Sequence, residues 1–323
     1  MSAASETAPA PRRVRPFYWS VRRELWENRA VYLAPLAVAA VALAGFLFAS
    51  HGLAQELRVA MGQASGTVHD TFSMMTERNG ARVTTTLSPS RTAGFAIVIP
   101  YAATSFAVLV TTTLVGIFYA LGALYGERRD RTVLFWKSLP VSDTTTVLSK
   151  AVIPLIVLPL VAIAVALAAQ LLMLAWSFAV VSLAGMDPSE LLPRTHIAAI
   201  STITVYGFAT LAIWWAPIAG WLLLVSAWAK RMTVLWAVAP PAALSLFEFL
   251  AFRTDHLWRL ITTRLHGGDN AFQAPPSGPH FDIDRLLPDP LRFVSDPGVW
   301  GGLVFFAACL AACVWLRRRR DPI

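Results

Sequence analysis

The sequence predicts an all-α integral membrane protein with six transmembrane helices. Of its 323 residues, 56% are apolar and 14% are charged, and the mean hydropathy is +0.57. Soluble globular chains are about 45–50% apolar and about 25% charged, so the composition excludes a soluble enzyme, a disordered chain and a fibrous protein. The apolar residues occur in continuous runs that far exceed the length of a barrel strand, which favours transmembrane helices.

The first 30 residues form an arm that precedes the first apolar run. Residues 1–13, rich in Pro, Ala and Ser, are predicted to be disordered. Residues 14–30 are predicted to form an amphipathic helix at the membrane interface, with arginines toward anionic head groups and with Trp19 and Trp26 at head-group depth. A juxtamembrane helix that only anchors the chain is an equally open alternative.

Six apolar runs are long enough to cross a bilayer core about 30 Å thick, which takes roughly 20 helical residues. They are residues 31–50, 94–124, 151–183, 198–228, 232–252 and 298–316, within a transmembrane domain of residues 31–323. The second and third runs exceed one crossing, so we expect them to tilt, to break near Pro100 or Pro159, or to continue as helix into the cytoplasm. Gly122 and Gly126 predict close helix packing where the second span leaves the membrane.

The distribution of basic residues predicts which side of the membrane holds the termini. An even number of crossings places both termini on one side, and the segments of that side contain 17 of the 27 Lys and Arg residues. The positive-inside rule therefore places both termini in the cytoplasm, and we assign the chain to a bacterial inner membrane. Because the basic residues flank apolar runs, the net charge of +8 indicates topology and contact with membrane lipid, and it predicts no nucleic-acid partner.

One cytoplasmic segment, residues 125–150, combines charges with bulky apolar side chains. Its bulky apolar residues are Val133, Leu134, Phe135, Trp136 and Leu139. Pro140 ends a short predicted helix, and Ser142 or Asp143 can cap the next helix, which leads into the third span. Such apolar side chains on an aqueous face either return to the bilayer as an interfacial helix or insert into a protein partner.

This segment resembles the corresponding loop of the ABC-2 type permeases, the membrane subunits of ATP-binding-cassette transporters. In that family, a Glu, a charged cluster, a Thr-Leu-type apolar helix, Leu-Pro-(Val/Leu)-Ser, a polar pair and a Lys lie between spans two and three. This chain has Glu127, Arg128, Arg129, Asp130, Arg131, Thr132, Val133 and Leu134, then Leu139, Pro140, Val141, Ser142 and Asp143, and finally Lys150. The family commonly has Gly before the Thr, where this chain has Arg131. The resemblance is dense over roughly 25 residues, and elsewhere it is one of architecture.

The resemblance implies a coupling helix between spans two and three that seats in a groove of an ATPase subunit. Leu134, Phe135 and Trp136 would anchor this helix, a role that suits large apolar side chains at interfaces. Glu127 and Arg131 would form a polar rim or a salt-bridge network. The outer loop between spans five and six, residues 253–297, is predicted to be helical in its first part, around residues 256–264. Related exporters have helices in this loop that cap the pathway, and a loop that only connects the two spans is the alternative.

The polar residues within the spans are the candidates for a transport pathway. By resemblance, spans two and five would form its walls, with Tyr101, Thr104 and Ser105 as lining candidates. Gln170, in the middle of span three, faces either another helix or the pathway. Glu248 is an acid within span five, which makes it a functional candidate unless its carboxylate reaches the membrane interface.

The ATP-binding function, if ATP drives this protein, must belong to another chain. No glycine is followed by lysine, so the phosphate-binding sequence Gly-x-x-x-x-Gly-Lys-Ser/Thr is absent. We therefore predict no cofactor in this chain, with ATP and Mg bound by a separate ATPase present in two copies. The transporter would need two membrane halves, for which a homodimer is the simpler arrangement and pairing with a related permease is the alternative.

Two other function classes remain open from the sequence. A membrane-embedded enzyme acting on envelope lipid or peptide would use the outer loops, where His280, Asp282 and Asp284 lie close in sequence. A secondary transporter would need paired ionisable groups at mid-membrane and usually a repeated half, and the sequence has neither. Catalytic motifs and metal-ligand spacings are also missing. The resemblance to ABC-2 type permeases therefore remains the basis for expecting an exporting, non-catalytic permease subunit.

Overall fold

The computed structural model describes most of the chain as helices joined by short connections. It describes residues 16–60, 73–78, 81–86, 89–130, 142–267, 271 and 288–319. The predicted disordered arm, residues 1–13, lies outside these ranges. So do four residues assigned to the coupling helix, namely Arg131, Leu134, Phe135 and Trp136.

The described elements follow one another along the chain with few interruptions. The helices are α1 (Pro16–Glu27), α2 (Ala30–Ala49), α3 (Leu53–Ala60), α4 (Pro89–Arg129), α5 (Asp143–Val152), α6 (Leu158–Leu183), α7 (Leu191–Thr195), α8 (Ile197–Trp214), α9 (Ala216–Trp228), α10 (Thr233–Phe252), α11 (His256–His266), α12 (Pro290–Ser295) and α13 (Pro297–Arg319). The remaining elements are 3₁₀ turns at Ser50–Gly52 and Pro188–Glu190, a π-helical turn at Ile153–Val157, and the strands β1 (Ser73–Arg78) and β2 (Ala81–Thr86).

Within the part of the chain that the structure describes, six helical segments are long and apolar enough to cross a membrane, as the sequence predicts. They are Ala30–Ala49, Ile97–Arg129, Asp143–Leu183, Pro188–Trp214, Thr233–Phe252 and Pro297–Arg319. Each carries an apolar stretch with few or no charges, which is the composition that a bilayer core requires. The chain is therefore a multi-pass helical membrane protein.

The second and third spans are longer than the bilayer core. Helix α4 has 41 residues and passes Pro100 without interruption. Helices α5 and α6 join through the π-helical turn, which contains Pro154, into a second continuous segment of 41 residues. At 1.5 Å per residue each segment is about 60 Å long, roughly twice the thickness of the hydrocarbon core. Of the outcomes left open by the sequence, continuation as helix is the one observed.

The fourth predicted span, residues 198–228, was wrong as a single helix. Helix α8 ends at Trp214 and α9 begins at Ala216, so the chain bends at Trp215. Pro217 explains the bend, because proline lacks the backbone N–H of a continuous helix and its ring disfavours helical backbone in the preceding residue. Helix α9 has only 13 residues and packs against α4 and α13.

The loop between the first two spans contains a β-hairpin that the sequence analysis did not predict. Strands β1 and β2 pair in antiparallel register, with Ser73 opposite Thr86 and Arg78 opposite Ala81. This two-stranded sheet adds to the predicted all-α fold without changing its membrane region.

The connections between spans collect at two ends of the bundle, as alternating crossings require. We call one of them the charged end; it is defined by Glu24, Glu127, Asp143, Lys150 and Arg317, which contact one another. The opposite end has an apolar cluster made of Leu53, Leu57, Ile97, Val181 and Leu191. Between the two ends the core is formed mainly by α4, α6, α9 and α13.

Candidate coupling site

Five charged side chains form one connected, buried network at the charged end. Lys150 Nζ lies 2.7 Å from Glu24 Oε1 and 3.2 Å from Glu127 Oε1. Arg317 Nη1 lies 2.5 Å from Glu127 Oε2, and Arg317 Nε lies 2.9 Å from Asp143 Oδ1. We call these five residues the charged network. It joins α1, α4, α5 and α13, of which only α4 and α5 are neighbours in the sequence.

The charged network is almost completely removed from solvent on one side and reaches the surface on the other. Lys150 is 3% exposed and Glu24 is 4% exposed, whereas the side chain of Asp143 is 25% exposed. At the buried side the Tyr119 hydroxyl donates a hydrogen bond of 2.9 Å to Glu24 Oε2. The carboxylate of Glu24 therefore bonds to Tyr119 with one oxygen and to Lys150 with the other.

The local sequence explains why these side chains meet at helix ends. Ser142 caps α5, because its hydroxyl oxygen accepts a hydrogen bond of 3.1 Å from the Thr145 N–H, which confirms Ser142 as one of the two predicted caps. Asp143 then lies in the first turn and Arg317 in the last turn of its own helix, where the helix dipoles favour these charges. Lys150 follows Asp143 by seven residues, two helical turns, so both face the same way.

The balance of formal charge makes the charged network sensitive to the loss of one member. Three carboxylates, from Glu24, Glu127 and Asp143, surround two cations, from Lys150 and Arg317. In a buried site of low dielectric, each charge depends on its partners because water cannot replace them. The network is therefore suited to fixing helices relative to one another, because its cations and carboxylates form ion pairs with each other.

Arg128 attaches a further helix to the charged end. Its guanidinium donates to the backbone carbonyl oxygen of Ser226 at 3.2 Å and also to that of Ala229, at the end of α9. The Ser226 hydroxyl in turn accepts a hydrogen bond of 3.0 Å from the Leu124 N–H. The bent fourth span is thereby tied to the last turns of α4.

The charged network flanks the predicted coupling segment on both sides. Residues 131–141 lie outside the described ranges, but Glu127 precedes them by one helical turn and Asp143 follows them by two residues. The resemblance implied a salt-bridge role for Glu127, and its described ion-pair partners are Lys150 and Arg317. Any movement of the segment would reach both of its flanking helices through this network.

Sequence reasoning missed several members of this site. Glu24 is 126 residues from Lys150, and Arg317 is 190 residues from Glu127, so no spacing rule connects them. The available signal was indirect: Glu24 lies on the side of α1 that carries Val21 and Leu25, where an acid needs a buried partner.

The predicted pathway residues of spans two and three meet inside the bundle. Gln170 Nε2 donates to Ser105 Oγ at 2.7 Å and to Thr204 Oγ1 at 3.2 Å. Gln170 Oε1 accepts a hydrogen bond of 2.9 Å from the Ser201 hydroxyl. We call these four residues the neutral network. It joins α4, α6 and α8 by uncharged hydrogen bonds.

Tyr101 and Thr104 lie beside the neutral network and are also buried. The Tyr101 hydroxyl shares a hydrogen bond of 2.9 Å with Ser177 Oγ. Thr104 donates to the carbonyl oxygen of Pro100 at 2.8 Å, and its hydroxyl lies 3.6 Å from Met173 Sδ. The structure thus brings the pathway candidates of α4 and α6 together as packed side chains of the core.

Glu248 lies apart from the other candidates, near the opposite end of the bundle. Its carboxylate accepts hydrogen bonds from the Thr254 hydroxyl at 2.9 Å, from the His256 N–H at 2.9 Å and from the Leu257 N–H at 2.8 Å. Two of these donors are the first backbone N–H groups of α11, which have no partner within the helix. Glu248 therefore caps the outer helix.

An apolar cavity of about 80 Å³ separates the two networks. Gly116, the π-helical turn and the bend at Trp215 border it, together with Leu158 and Phe208. Its lining contains no charged side chain. The cavity can accommodate an apolar group, and it lies beside two departures from regular helix, namely the π-helical turn in the third span and the bend at Trp215 in the fourth.

Arg264 ties the outer helix to the bundle. The guanidinium of Arg264 lies 4.0 Å from the ring centroid of Trp214 and donates to the carbonyl oxygens of Trp214 and Gly298. Burial lowers the pKa of the Arg264 guanidinium, and the nearby carboxylate of Asp296 opposes that shift. This confirms helical structure in the first part of the outer loop and shows that it packs against α8 and α13.

Two further sources of functional evidence, metal-binding clusters and similarity to known proteins, give no role for these residues. Among the described residues, no group of three or more His, Cys, Asp or Glu side chains is arranged to hold a metal ion. Comparisons with protein-family models, with curated proteins and with solved structures find no match to this chain.

Proposed function

We propose that this chain is the membrane subunit of an ATP-driven exporter of the ABC-2 permease type. A separate ATPase binds ATP and Mg, and the segment 131–141 couples its movements to the membrane helices. The observation that carries this proposal is the charged network. It joins both flanks of that segment to the first and the last helices of the chain.

The mechanical argument starts from rigidity. Because the charges of the network are buried, separating one helix from the others would leave an uncompensated charge, at a cost of about 3–5 kcal/mol. A push on the segment is therefore transmitted to α1, α4, α5 and α13 together. This supports rocking of a group of helices as one body, which alternating access requires.

The lengths of the flanking helices supply a second argument. Helix α4 and the continuous segment Asp143–Leu183 each exceed the hydrocarbon core by roughly 30 Å if both are straight. They are long enough to carry the segment between them into the aqueous phase. That position suits contact with a soluble ATPase better than contact with lipid.

The distribution of basic residues supports one side of the membrane for the charged end, and the need for two membrane halves supports a dimer of this chain. The excess of Lys and Arg in the segments of the charged end supports a cytoplasmic position for that end and for both termini, in what we propose is a bacterial inner membrane. Two copies of this chain would bind two ATPase subunits. The neutral network and the cavity supply no charged pair at mid-membrane, which supports ATP over an ion gradient as the energy source.

The test is co-expression with an ATP-binding-cassette protein encoded near this chain, followed by purification and measurement of ATP hydrolysis. F135A/W136A should abolish assembly, because both anchors of the segment are removed. Glu127→Gln should preserve assembly but reduce the stimulation of ATP hydrolysis, because it weakens the pairs with Lys150 and Arg317.

Thr144→Ala is the matched control. Thr144 is exposed on α5 next to Asp143, and it should change neither assembly nor hydrolysis. Thermal unfolding of each purified variant separates a folding defect from a coupling defect. Unchanged assembly and unchanged stimulated hydrolysis in F135A/W136A would refute the proposal.

A further inference from the structure

Helix α1 has two faces with different chemistry. Its inner face packs Val21 and Leu25 against the core and places Glu24 in the charged network. Trp19 and Trp26 lie on the opposite face and are 54% and 66% exposed. Such a division is expected of a helix that contacts protein on one side and the membrane interface on the other.

Arg22 lies between the two tryptophans along the helix, at the edge of the outer face, and is half-buried. Trp19, Arg22 and Trp26 are three and four residues apart, so they form one stripe along the helix. The Arg22 guanidinium carbon lies 5.2 Å from the ring centroid of Trp19 and 4.8 Å from that of Trp26. Stacking between two rings holds the planar guanidinium in place while its N–H groups stay available for an oxyanion.

Arg22 is the cation of this stripe, because the neighbouring charged residues of α1 pair elsewhere. Arg23 forms an ion pair of 2.6 Å with Glu27, and Glu24 points inward to Lys150. Among the described residues, no carboxylate forms an ion pair with Arg22. The outer face is therefore positive and aromatic, which complements an anionic group at the level of the lipid head groups.

We propose that the stripe of Trp19, Arg22 and Trp26 binds the phosphate of an anionic phospholipid head group. Helix α2, a membrane span, begins three residues after α1 ends, so α1 lies at the membrane surface within reach of lipid phosphates. The guanidinium donates two N–H groups to the phosphate, and the indole rings pack against the glycerol and upper acyl region. Because Glu24 is on the same helix, lipid binding also fixes one member of the charged network.

The test uses the full chain alone, so its result does not depend on the proposed ATPase partner. The purified protein is reconstituted in phosphatidylcholine nanodiscs with or without phosphatidylglycerol, and native mass spectrometry measures which lipid is retained after extraction. The wild type should retain phosphatidylglycerol preferentially. Arg22→Gln should lower that preference about fivefold, and Arg22→Lys should give an intermediate value, since it keeps the charge and loses the planar fork.

Arg29→Gln is the control for general electrostatic attraction. It removes the same charge from the same arm at an exposed position just after α1, and it should leave the preference near the wild-type value. An equal loss in Arg29→Gln and Arg22→Gln would overturn the proposal in favour of diffuse attraction. Retention that stays at the wild-type level in Arg22→Gln would also overturn it.

Two further outcomes would contradict a lipid site. Complete displacement of phosphatidylglycerol by excess glycerol phosphate would show that a free phosphate suffices. Loss of ATPase assembly in Arg22→Gln without any change in lipid retention would show that this face binds protein. We expect Arg22→Gln to unfold at the same temperature as the wild type, because the side chain of Arg22 stacks on the exposed Trp19 and Trp26 and not on the core of the bundle.

Discussion

The charged network and the neutral network are both polar and both buried, yet they depend on their partners to different degrees. In the neutral network, Thr204 also donates to the carbonyl oxygen of Ile200 at 2.8 Å, and Ser105 also lies 3.1 Å from the carbonyl oxygen of Tyr101. These hydroxyls have acceptors within their own helices. The carboxylates and cations of the charged network find their described partners on other helices.

This difference suits the neutral network to packing helices together and the charged network to coupling their movements. Helices held by neutral hydrogen bonds can shift against one another, because the Ser105 and Thr204 hydroxyls keep acceptors in their own helices while the contact is broken. Helices held by buried charges must move together or bring water to the charges. In the proposed transporter, the charged end would therefore move as one body, and the interior around Gln170 would be the part that rearranges.

The largest effect is expected from Lys150→Met, which leaves the carboxylates of Glu24 and Glu127 buried without their shared cation. The free energy of unfolding should fall by about 3–5 kcal/mol, because an uncompensated buried charge costs that amount. Denaturation in mixed detergent micelles, followed by circular dichroism, measures the change.

The double variant K150M/E24Q is the control for Lys150→Met. It removes the cation together with one of the two carboxylates, so it should be more stable than K150M alone. A loss of less than 1 kcal/mol in K150M would contradict the description of the site as a buried charge network of low dielectric.

Gly220→Ala compares the buried charges of the charged end with the tight packing of the core between α9 and α13. A Cβ at Gly220 would lie 2.7 Å from Phe306 Cδ2 and 3.3 Å from the Phe306 Cα, so α9 and α13 must separate. We expect a loss of about 1–3 kcal/mol, less than for Lys150→Met. Gly122→Ala is the matched control in the same detergent assay, since its Cβ would meet nothing within 4 Å. Equal losses in both alanine variants would contradict the packing described here.

Gln170→Leu tests the neutral network and should have a smaller effect on stability. The variant removes interhelical hydrogen bonds, but Ser105 and Thr204 keep acceptors in their own helices. Interhelical hydrogen bonds in membranes average about 0.6 kcal/mol each, so the loss of the three made by Gln170 should cost about 2 kcal/mol. The same micelle denaturation measures it. A loss as large as that of Lys150→Met would remove the distinction between the two networks.

The sequence predicted the membrane fold well because its signals are local. Apolar run length defined the six spans, and the polar residues after Pro140 located the helix start at Ser142. The bend in the fourth span was missed although Pro217 marks it. The hairpin was missed too, although Asn79-Gly80, a common pair in two-residue hairpin connections, lies between the strands in the sequence.

The candidate site could be predicted only in part, because its contacts join distant segments. Glu127 was predicted from the loop resemblance, but its pairs with Lys150 and Arg317 depend on how the helices cross. The two-glycine pattern at Gly122 and Gly126 predicted close packing, yet a Cβ at either position would meet nothing within 4 Å. The isolated Gly220 makes the closer contact, which no sequence pattern indicates.

Glu248→Ala extends the comparison to a single carboxylate at the opposite end, and it should have the smallest effect. The carboxylate oxygens of Glu248 accept hydrogen bonds from the first N–H groups of α11, so the loss of stability should be confined to that helix. We expect faster amide hydrogen exchange over His256–His266 and an unchanged global unfolding temperature, because Arg264 still holds the helix to Trp214. Glu56→Ala, in α3 of the same end, should leave exchange in α11 unchanged. A fall in the global unfolding temperature comparable to that of Lys150→Met would place Glu248 among the residues that hold the bundle together, and would show that charge alone, without a network, makes a position critical.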